Sequence, residues 1–165
     1  MLRRLVDVAA LLLIVFVIYK LLIVPRVNNA ASAQPAPHVT YATLSGKQFV
    51  LSEHRGRVVF LDFWASWCEP CKLSLPLVER YARAHPDVDV LAVDVGEPRP
   101  VVAAFARTHD LRNVALDPQT LSQGFFQIQG FPTMIAIDKS GRIRGAWGGF
   151  NPAISTIMDR AVRSM

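Results

Sequence analysis

The longest run of apolar positions lies at the N-terminus of the chain. Residues 8–19 contain no charge and no helix breaker, and the run resumes after Lys20 as far as Val24. Residues 5–24 together approach the roughly 20 residues that a helix needs to cross the hydrocarbon core of a bilayer. Arg3 and Arg4 precede the run, and such charges favour the cytoplasmic side. The pattern predicts a membrane anchor over residues 1–27, with the rest of the chain exported.

A cleaved signal peptide is the alternative interpretation of this segment. Residues 31–33 read Ala-Ser-Ala, which fits a cleavage site, and twelve apolar residues suit the core of a signal peptide. The long gap before that site and the return of apolar residues after Lys20 favour the uncleaved anchor. Residues 28–38 are small, polar and proline-bearing, which predicts a linker.

The hydrophobic pattern of residues 39–165 changes along the chain as in a domain that mixes strands and helices. We expect a hairpin (41–44 and 48–51), a buried strand (58–64), a helix with a kink at Pro76 (67–85), a second strand (88–95), a helix (100–109), a short extended piece (114–116), a second hairpin (133–138 and 142–147) and a closing helix (152–164). Asn151 and Pro152 are expected to begin the last helix as N-cap and first helical residue. This order predicts an α/β fold in three layers with a mixed sheet.

Composition and charge exclude several classes of protein. Hydrophobic residues make up 52% of the chain, charged residues 19%, and the mean hydropathy is +0.28, which excludes a disordered chain. The net charge is +5, but residues 39–165 hold 14 basic and 12 acidic side chains, so that part carries only about +2. We therefore expect no nucleic-acid partner.

Chemistry is concentrated at the two cysteines, Cys68 and Cys71, which form a Cys-x-x-Cys pair. A structural zinc site needs about four ligands, and the four histidines are scattered and expected to be solvated, so no metal is predicted. The pair lies where a strand gives way to a helix, and a helix N-terminus stabilises a thiolate. Cys68 is therefore the predicted nucleophile and Cys71 the more buried resolving thiol. Pro70 is expected to hold the two sulfurs within bridging distance.

Two carboxylates should tune this pair. Glu69 lies between the cysteines and opposes a second negative charge, which favours a reducing couple; alternatively it is solvated and screened. Asp62 lies inside an otherwise apolar strand, where a carboxylate is costly to bury. We expect a raised pKa for Asp62 and a role as proton acceptor for Cys71, the alternative being a solvent-facing strand residue.

Residues 63–72 (FWASWCEPCK) and 130–133 (GFPT) resemble the active-site segment and the cis-proline loop of thioredoxins. More narrowly, they resemble the membrane-anchored TlpA/ResA-like thiol-disulfide oxidoreductases. The resemblance implies a thioredoxin fold, with a mixed central sheet and helices on both faces. It also implies that the protein uses no cofactor and that the Cys68–Cys71 disulfide is its redox-active group. The substrate-binding residues that it implies are Trp67, Glu69, Pro70, Phe131, Pro132 and Thr133.

Two positions depart from the subgroup. Many of its members carry glutamate three residues after the second cysteine, where this chain has Ser74, and asparagine in the strand, where it has Asp62. The leading hypothesis is a reductase or isomerase of exported proteins on the outer side of a bacterial inner membrane, recharged by a membrane electron donor and connected with cytochrome c maturation. The alternatives are a net oxidant of secreted proteins and a module that handles copper or senses redox state.

Overall fold

The computed structural model describes Leu12, Leu13 and residues 34–165. Within these residues the chain forms eight strands, four α-helices and a 3₁₀ turn at Leu51–His54. The strands are β1 (Gln34–Pro35), β2 (Thr40–Thr43), β3 (Gln48–Val50), β4 (Val58–Trp64), β5 (Val88–Val95), β6 (Val114–Asp117), β7 (Thr133–Ile137) and β8 (Arg142–Gly148). The helices are α1 (Glu69–Ala84), α2 (Arg99–Thr108), α3 (Leu121–Phe126) and α4 (Ile154–Arg163).

All eight strands join one mixed sheet in the order β1-β8-β7-β4-β5-β6-β2-β3. The sheet is mixed because its central strands pair in both directions. Strands β4, β5 and β6 are parallel and are joined through α1 and α2, whereas β7 runs antiparallel to β4. All seven residues of β4 are buried, as expected for the centre of a sheet covered on both faces. The predicted α/β fold with a mixed sheet is confirmed.

Side chains alternate along β4 between two separate cores. Val59, Leu61 and Phe63 pack with Phe126 of α3 and Leu51 of the 3₁₀ turn. Val58 and Phe60 face α1 and α4 on the other side, where Trp64 also packs beside α1 and α2. The alternation therefore places Asp62 on the face that α1 covers, between Phe60 and Trp64.

Three features differ from the sequence prediction. Strand β1 lies inside the predicted linker and pairs with β8. Helix α3 was not predicted, because it has only six residues and contains Gly124. Helix α4 begins at Ile154, not Pro152, with Ala153 as its N-cap; the Asn151 side chain instead accepts a hydrogen bond from the Ala153 N–H at 2.8 Å.

The prediction of a membrane anchor lies outside the described residues except for Leu12 and Leu13. In the part of the chain that the structure describes, no helix combines the length and the apolar character needed to cross a membrane.

Candidate active site

The two cysteines are joined by a disulfide at the N-terminus of α1, directly beyond the end of β4. Their Cα atoms are 5.2 Å apart. Cys68 is the N-cap residue, and its Sγ accepts a hydrogen bond from the Cys71 N–H at 3.2 Å. Pro70 occupies the first turn of the helix, where its missing N–H costs no hydrogen bond. In the reduced protein, the same N–H and the helix dipole favour a thiolate on Cys68.

The two cysteines differ in their access to solvent. Cys68 is 4% exposed and Cys71 is fully enclosed, so an incoming thiol or disulfide meets Cys68 first. Trp67, by contrast, is 66% exposed immediately before the pair. Cys68 is thus the more accessible of the two cysteines, and Cys71 is the more buried one.

Glu69 lies in solvent and pairs with Lys72 at 2.5 Å, one turn along the helix. Because the ammonium offsets its charge and water screens the pair, Glu69 exerts less repulsion on a Cys68 thiolate than an isolated carboxylate would. The structure therefore agrees with the alternative interpretation of Glu69, a carboxylate that is solvated and screened.

The loop before β7 completes the surface beside the disulfide. The bond between Phe131 and Pro132 is cis, and the Phe131 ring contacts the Trp67 ring edge-on at 5.9 Å between centroids. Thr133 pairs with Phe63 of β4, and its hydroxyl donates to the Gly130 carbonyl at 2.7 Å. The structure thus brings Trp67 against Phe131, one of the predicted groove residues of this loop.

Asp62 lies on the face of the sheet that carries α1 and is 1% exposed. Its Oδ2 has no hydrogen-bond partner among the described residues. Burial raises the pKa of its carboxyl to about 7. The solvent-facing alternative is therefore wrong, and the carboxyl can hold or release a proton at neutral pH.

Three residues near the disulfide were missed by the sequence analysis. Ser66 donates from both its N–H and its hydroxyl to the carboxylate of Glu97, at 2.5 and 2.7 Å. Asp94, at the end of β5, accepts from the Glu97 N–H at 3.2 Å and is fully buried. A carboxylate inside the apolar run of residues 88–95 is the same signal that identified Asp62, so Asp94 could have been found.

The histidines lie elsewhere: His38 is exposed as expected, whereas the other three are less solvated than expected. His54, His85 and His109 are half-buried, and each stacks on an aromatic ring 3.9 to 4.0 Å away between centroids. Within residues 34–165, no group of three or more metal-ligating side chains is placed to hold a metal ion.

Comparison with known proteins gives concordant results. A family model described as Redoxin matches residues 31–157. Thiol-disulfide oxidoreductase ResA of Geobacillus thermodenitrificans is 32% identical over 117 residues, which is 69% of this chain and 67% of that protein. Thioredoxin-like protein YneN of Bacillus subtilis is 32% identical over 115 residues, 67% of this chain and 68% of its own length.

Solved structures show the same similarity. A crystal structure described as thiol:disulfide interchange protein DsbE from Chlorobium tepidum is 28% identical, with a TM-score of 0.74, covering 81% of this chain and 96% of that one. A solution structure described as a protein disulfide isomerase from Bacteroides thetaiotaomicron matches with the same identity and TM-score, covering 81% of this chain and 89% of its own.

Proposed function

Because the chain belongs to the redoxin family of thioredoxin-like proteins and is a thiol-disulfide oxidoreductase with a Cys-x-x-Cys pair, we propose that it reduces or isomerises disulfides of exported proteins while tethered to a membrane. The observation that supports this direction of transfer is the buried Asp62 carboxyl, which lies on the sheet face covered by α1, the helix that carries the cysteine pair at its N-terminus. A carboxylate there disfavours thiolates, and a couple whose thiolates are less stabilised is more reducing.

The reaction begins with the reduced protein. The Cys68 thiolate attacks one sulfur of a substrate disulfide; a new S–S bond forms between protein and substrate, and the other substrate sulfur leaves as a thiolate. Cys71 then attacks the Cys68 sulfur, releasing the second substrate thiol. Two electrons pass to the substrate, and the protein is left with the Cys68–Cys71 disulfide seen in the structure.

Asp62 accepts the proton that Cys71 must lose before its attack. Cys71 is fully enclosed, so bulk water has poor access to its thiol. Asp62 lies under the same helix, and its pKa of about 7 lets it take up a proton at neutral pH. Helix α1 supplies no carboxylate for this step, because residue 74, where many members of the subgroup have glutamate, is a buried serine.

The site of chain attachment suits a tethered reductase. Gln34 pairs with Ile143, which is level with Ile137 and hence with the first residues of β4. Cys68 follows the opposite end of β4, roughly 20 Å away, because six steps of about 3.3 Å separate the first and last of the seven residues in that strand. A chain that leads from an anchor over residues 5–24 therefore enters the domain at the end of the sheet opposite the disulfide. We propose that a membrane electron donor recharges the pair.

The reduction potential of the Cys68–Cys71 couple tests the direction. We expect a value near that of thioredoxin, about −270 mV, whereas a value near about −120 mV supports the alternative of a net oxidant. Tight Cu(I) binding by a protein that fails to reduce disulfides supports the copper module instead.

Partners and location need separate tests in the source bacterium. A Cys71→Ser chain should retain partners as mixed disulfides, and apocytochrome c among them supports the role in cytochrome c maturation. The wild-type chain should fractionate with the inner membrane at its full mass of 18.3 kDa, with its domain open to protease added from the periplasmic side. A soluble product that starts at Gln34 contradicts the tether.

A further inference from the structure

A second pair of carboxyl groups, Asp94 and Glu97, lies beside the disulfide and takes no part in the mechanism proposed above. The sheet register sets Asp94 opposite Trp64, at the ends of two parallel strands. Glu97 follows in the loop that leads to α2. Because the cysteine segment begins at the same edge of the sheet, both carboxyl groups lie next to the backbone that presents Cys68.

Glu97 holds that backbone through both of its carboxylate oxygens. The Ser66 N–H donates to Oε2 at 2.5 Å, and the Ser66 hydroxyl donates to Oε1 at 2.7 Å. Ser66 lies two residues before Cys68, and the intervening Trp67 is exposed. The position of the Glu97 carboxylate therefore sets the position of the segment from Ser66 to Cys68.

Asp94 in turn holds Glu97. The Glu97 N–H donates to Asp94 Oδ1 at 3.2 Å. The other oxygen, Oδ2, is buried without a hydrogen-bond partner among the described residues, and the carboxyl group of the same Glu97 residue is ionisable and available to share a proton with it. Burial, and after it the interaction with the Glu97 carboxylate, raise the pKa of Asp94 to about 8. Burial acts in the same direction on Glu97, but the bonds to Asp94 and Ser66 outweigh it and hold the pKa of Glu97 below its usual range.

The titratable side chains around Asp94 do not stabilise its ionised form. Trp64 and Asp62 share its face from β4, and Asp117 of β6 adds a further negative charge nearby. The cluster packed on this face contains both cysteines, together with Val102 and Ala106 from α2. Since the neighbouring titratable groups are carboxyls and thiols, an ionised Asp94 meets repulsion, and the neutral form that bonds to Glu97 is favoured.

We propose that Asp94 is a positioning residue of the redox site: by sharing a proton with Glu97 it keeps Glu97 bonded to Ser66, and Ser66 keeps Cys68 in place for attack. This rests on the proposed function only in taking Cys68 as the attacking thiol. When Asp94 loses its proton, two adjacent carboxylates repel and the hold on Ser66 weakens. The reactivity of each Cys68 thiolate then falls as the pH rises above about 8.

The experiment compares the full-length wild type with Asp94→Asn, whose amide can donate to Glu97 but cannot ionise, and with Asp94→Ala. Asp110→Asn and Asp110→Ala are the controls, since Asp110 is a largely exposed aspartate on the loop after α2. Amide exchange of Ser66 is followed in the oxidised proteins from pH 6 to pH 10. The rate of attack on a small aromatic disulfide, divided by the thiolate fraction, is followed in the reduced proteins over the same range.

In the wild type, both Ser66 protection and the rate per thiolate should fall above about pH 8. Asp94→Asn should keep the wild-type values at pH 7 to within about twofold and lose the fall at high pH. Asp94→Ala should reduce Ser66 protection and the rate about tenfold at pH 7, and the controls should match the wild type.

Ser66 protection that is the same in all five proteins, with changes confined to the melting temperature, overturns the proposal. Should Asp94→Ala fail to fold, the loss or persistence of the high-pH fall in Asp94→Asn decides alone. Protection that changes as expected while no variant attacks a disulfide contradicts the proposed function and leaves the positioning role of Asp94 supported, because amide exchange does not require the cysteines to react.

Discussion

Replacement of Asp62 by asparagine should remove a large part of the dependence of stability on pH. The Asp62 carboxyl is 1% exposed, and burial raises its pKa from 3.8 to about 7. A carboxyl with a higher pKa in the folded than in the unfolded chain binds its proton more tightly when folded. Its favourable contribution is therefore present in full below about pH 4 and is lost as the pH rises through about 7.

The size of the effect follows from the same two values. At about 1.4 kcal/mol per pKa unit, the difference between 3.8 and about 7 is worth about 4 kcal/mol. Relative to a chain that cannot ionise at residue 62, the wild type should therefore lose about 4 kcal/mol of stability at pH 8.5, but less than about 1 kcal/mol at pH 4.

Urea unfolding of the oxidised wild type and Asp62→Asn at a series of pH values between 4 and 8.5 measures this difference. Any difference in packing between a neutral asparagine and a neutral aspartic acid is the same at every pH, so only the change with pH is diagnostic. Glu53→Gln is the control, because Glu53 is exposed and its removal should give a flat difference. A flat difference for Asp62→Asn as well refutes the buried, proton-binding carboxyl.

Three further substitutions test other parts of the structure. Asp117→Ala should destabilise the domain by about 1–3 kcal/mol in urea unfolding, because the Asp117 carboxylate accepts the first N–H groups of α3 at 2.8 and 3.1 Å; Asp117→Asn should recover part of the loss. Gly145→Ala should cost about 1–3 kcal/mol and alter the near-ultraviolet circular dichroism, since the new Cβ would lie 2.3 Å from the Trp147 ring; an unchanged spectrum contradicts this packing. Trp67→Ala should raise KM for a protein disulfide several-fold while the rate with a small disulfide changes by less than about twofold, and equal losses with both contradict a role in binding.

The sequence predicted the order of the main strands and helices because their hydrophobic patterns are long and their ends carry clear signals. It missed α3, which depends on tertiary contacts: the buried Asp117 binds its first N–H groups, and a hydroxyl bond of 2.7 Å joins Ser122 to Tyr41 of β2. It missed β1 for a similar reason, since two residues, Gln34 and Pro35, form a strand only by pairing with β8.

The candidate site divides in the same way. The sequence alone identifies Cys68, Cys71 and Asp62, because a Cys-x-x-Cys pair and a carboxylate within an apolar strand are unusual local patterns. The contact between Glu97 and Ser66 joins residues 31 positions apart, and no local pattern shows it. The screening of Glu69 likewise became visible only with the position of the Lys72 ammonium.

The most direct test of the central claim is the formation of a mixed disulfide by Cys68. Reduced Cys71→Ser and Cys68→Ser proteins are each mixed with insulin, and the products are measured by intact mass under non-reducing conditions. The account predicts a covalent adduct with Cys71→Ser that a reductant releases, and none with Cys68→Ser, because Cys71 is fully enclosed. Absence of an adduct with Cys71→Ser, or equal adducts with both proteins, contradicts Cys68 as the nucleophile of a thiol-disulfide oxidoreductase.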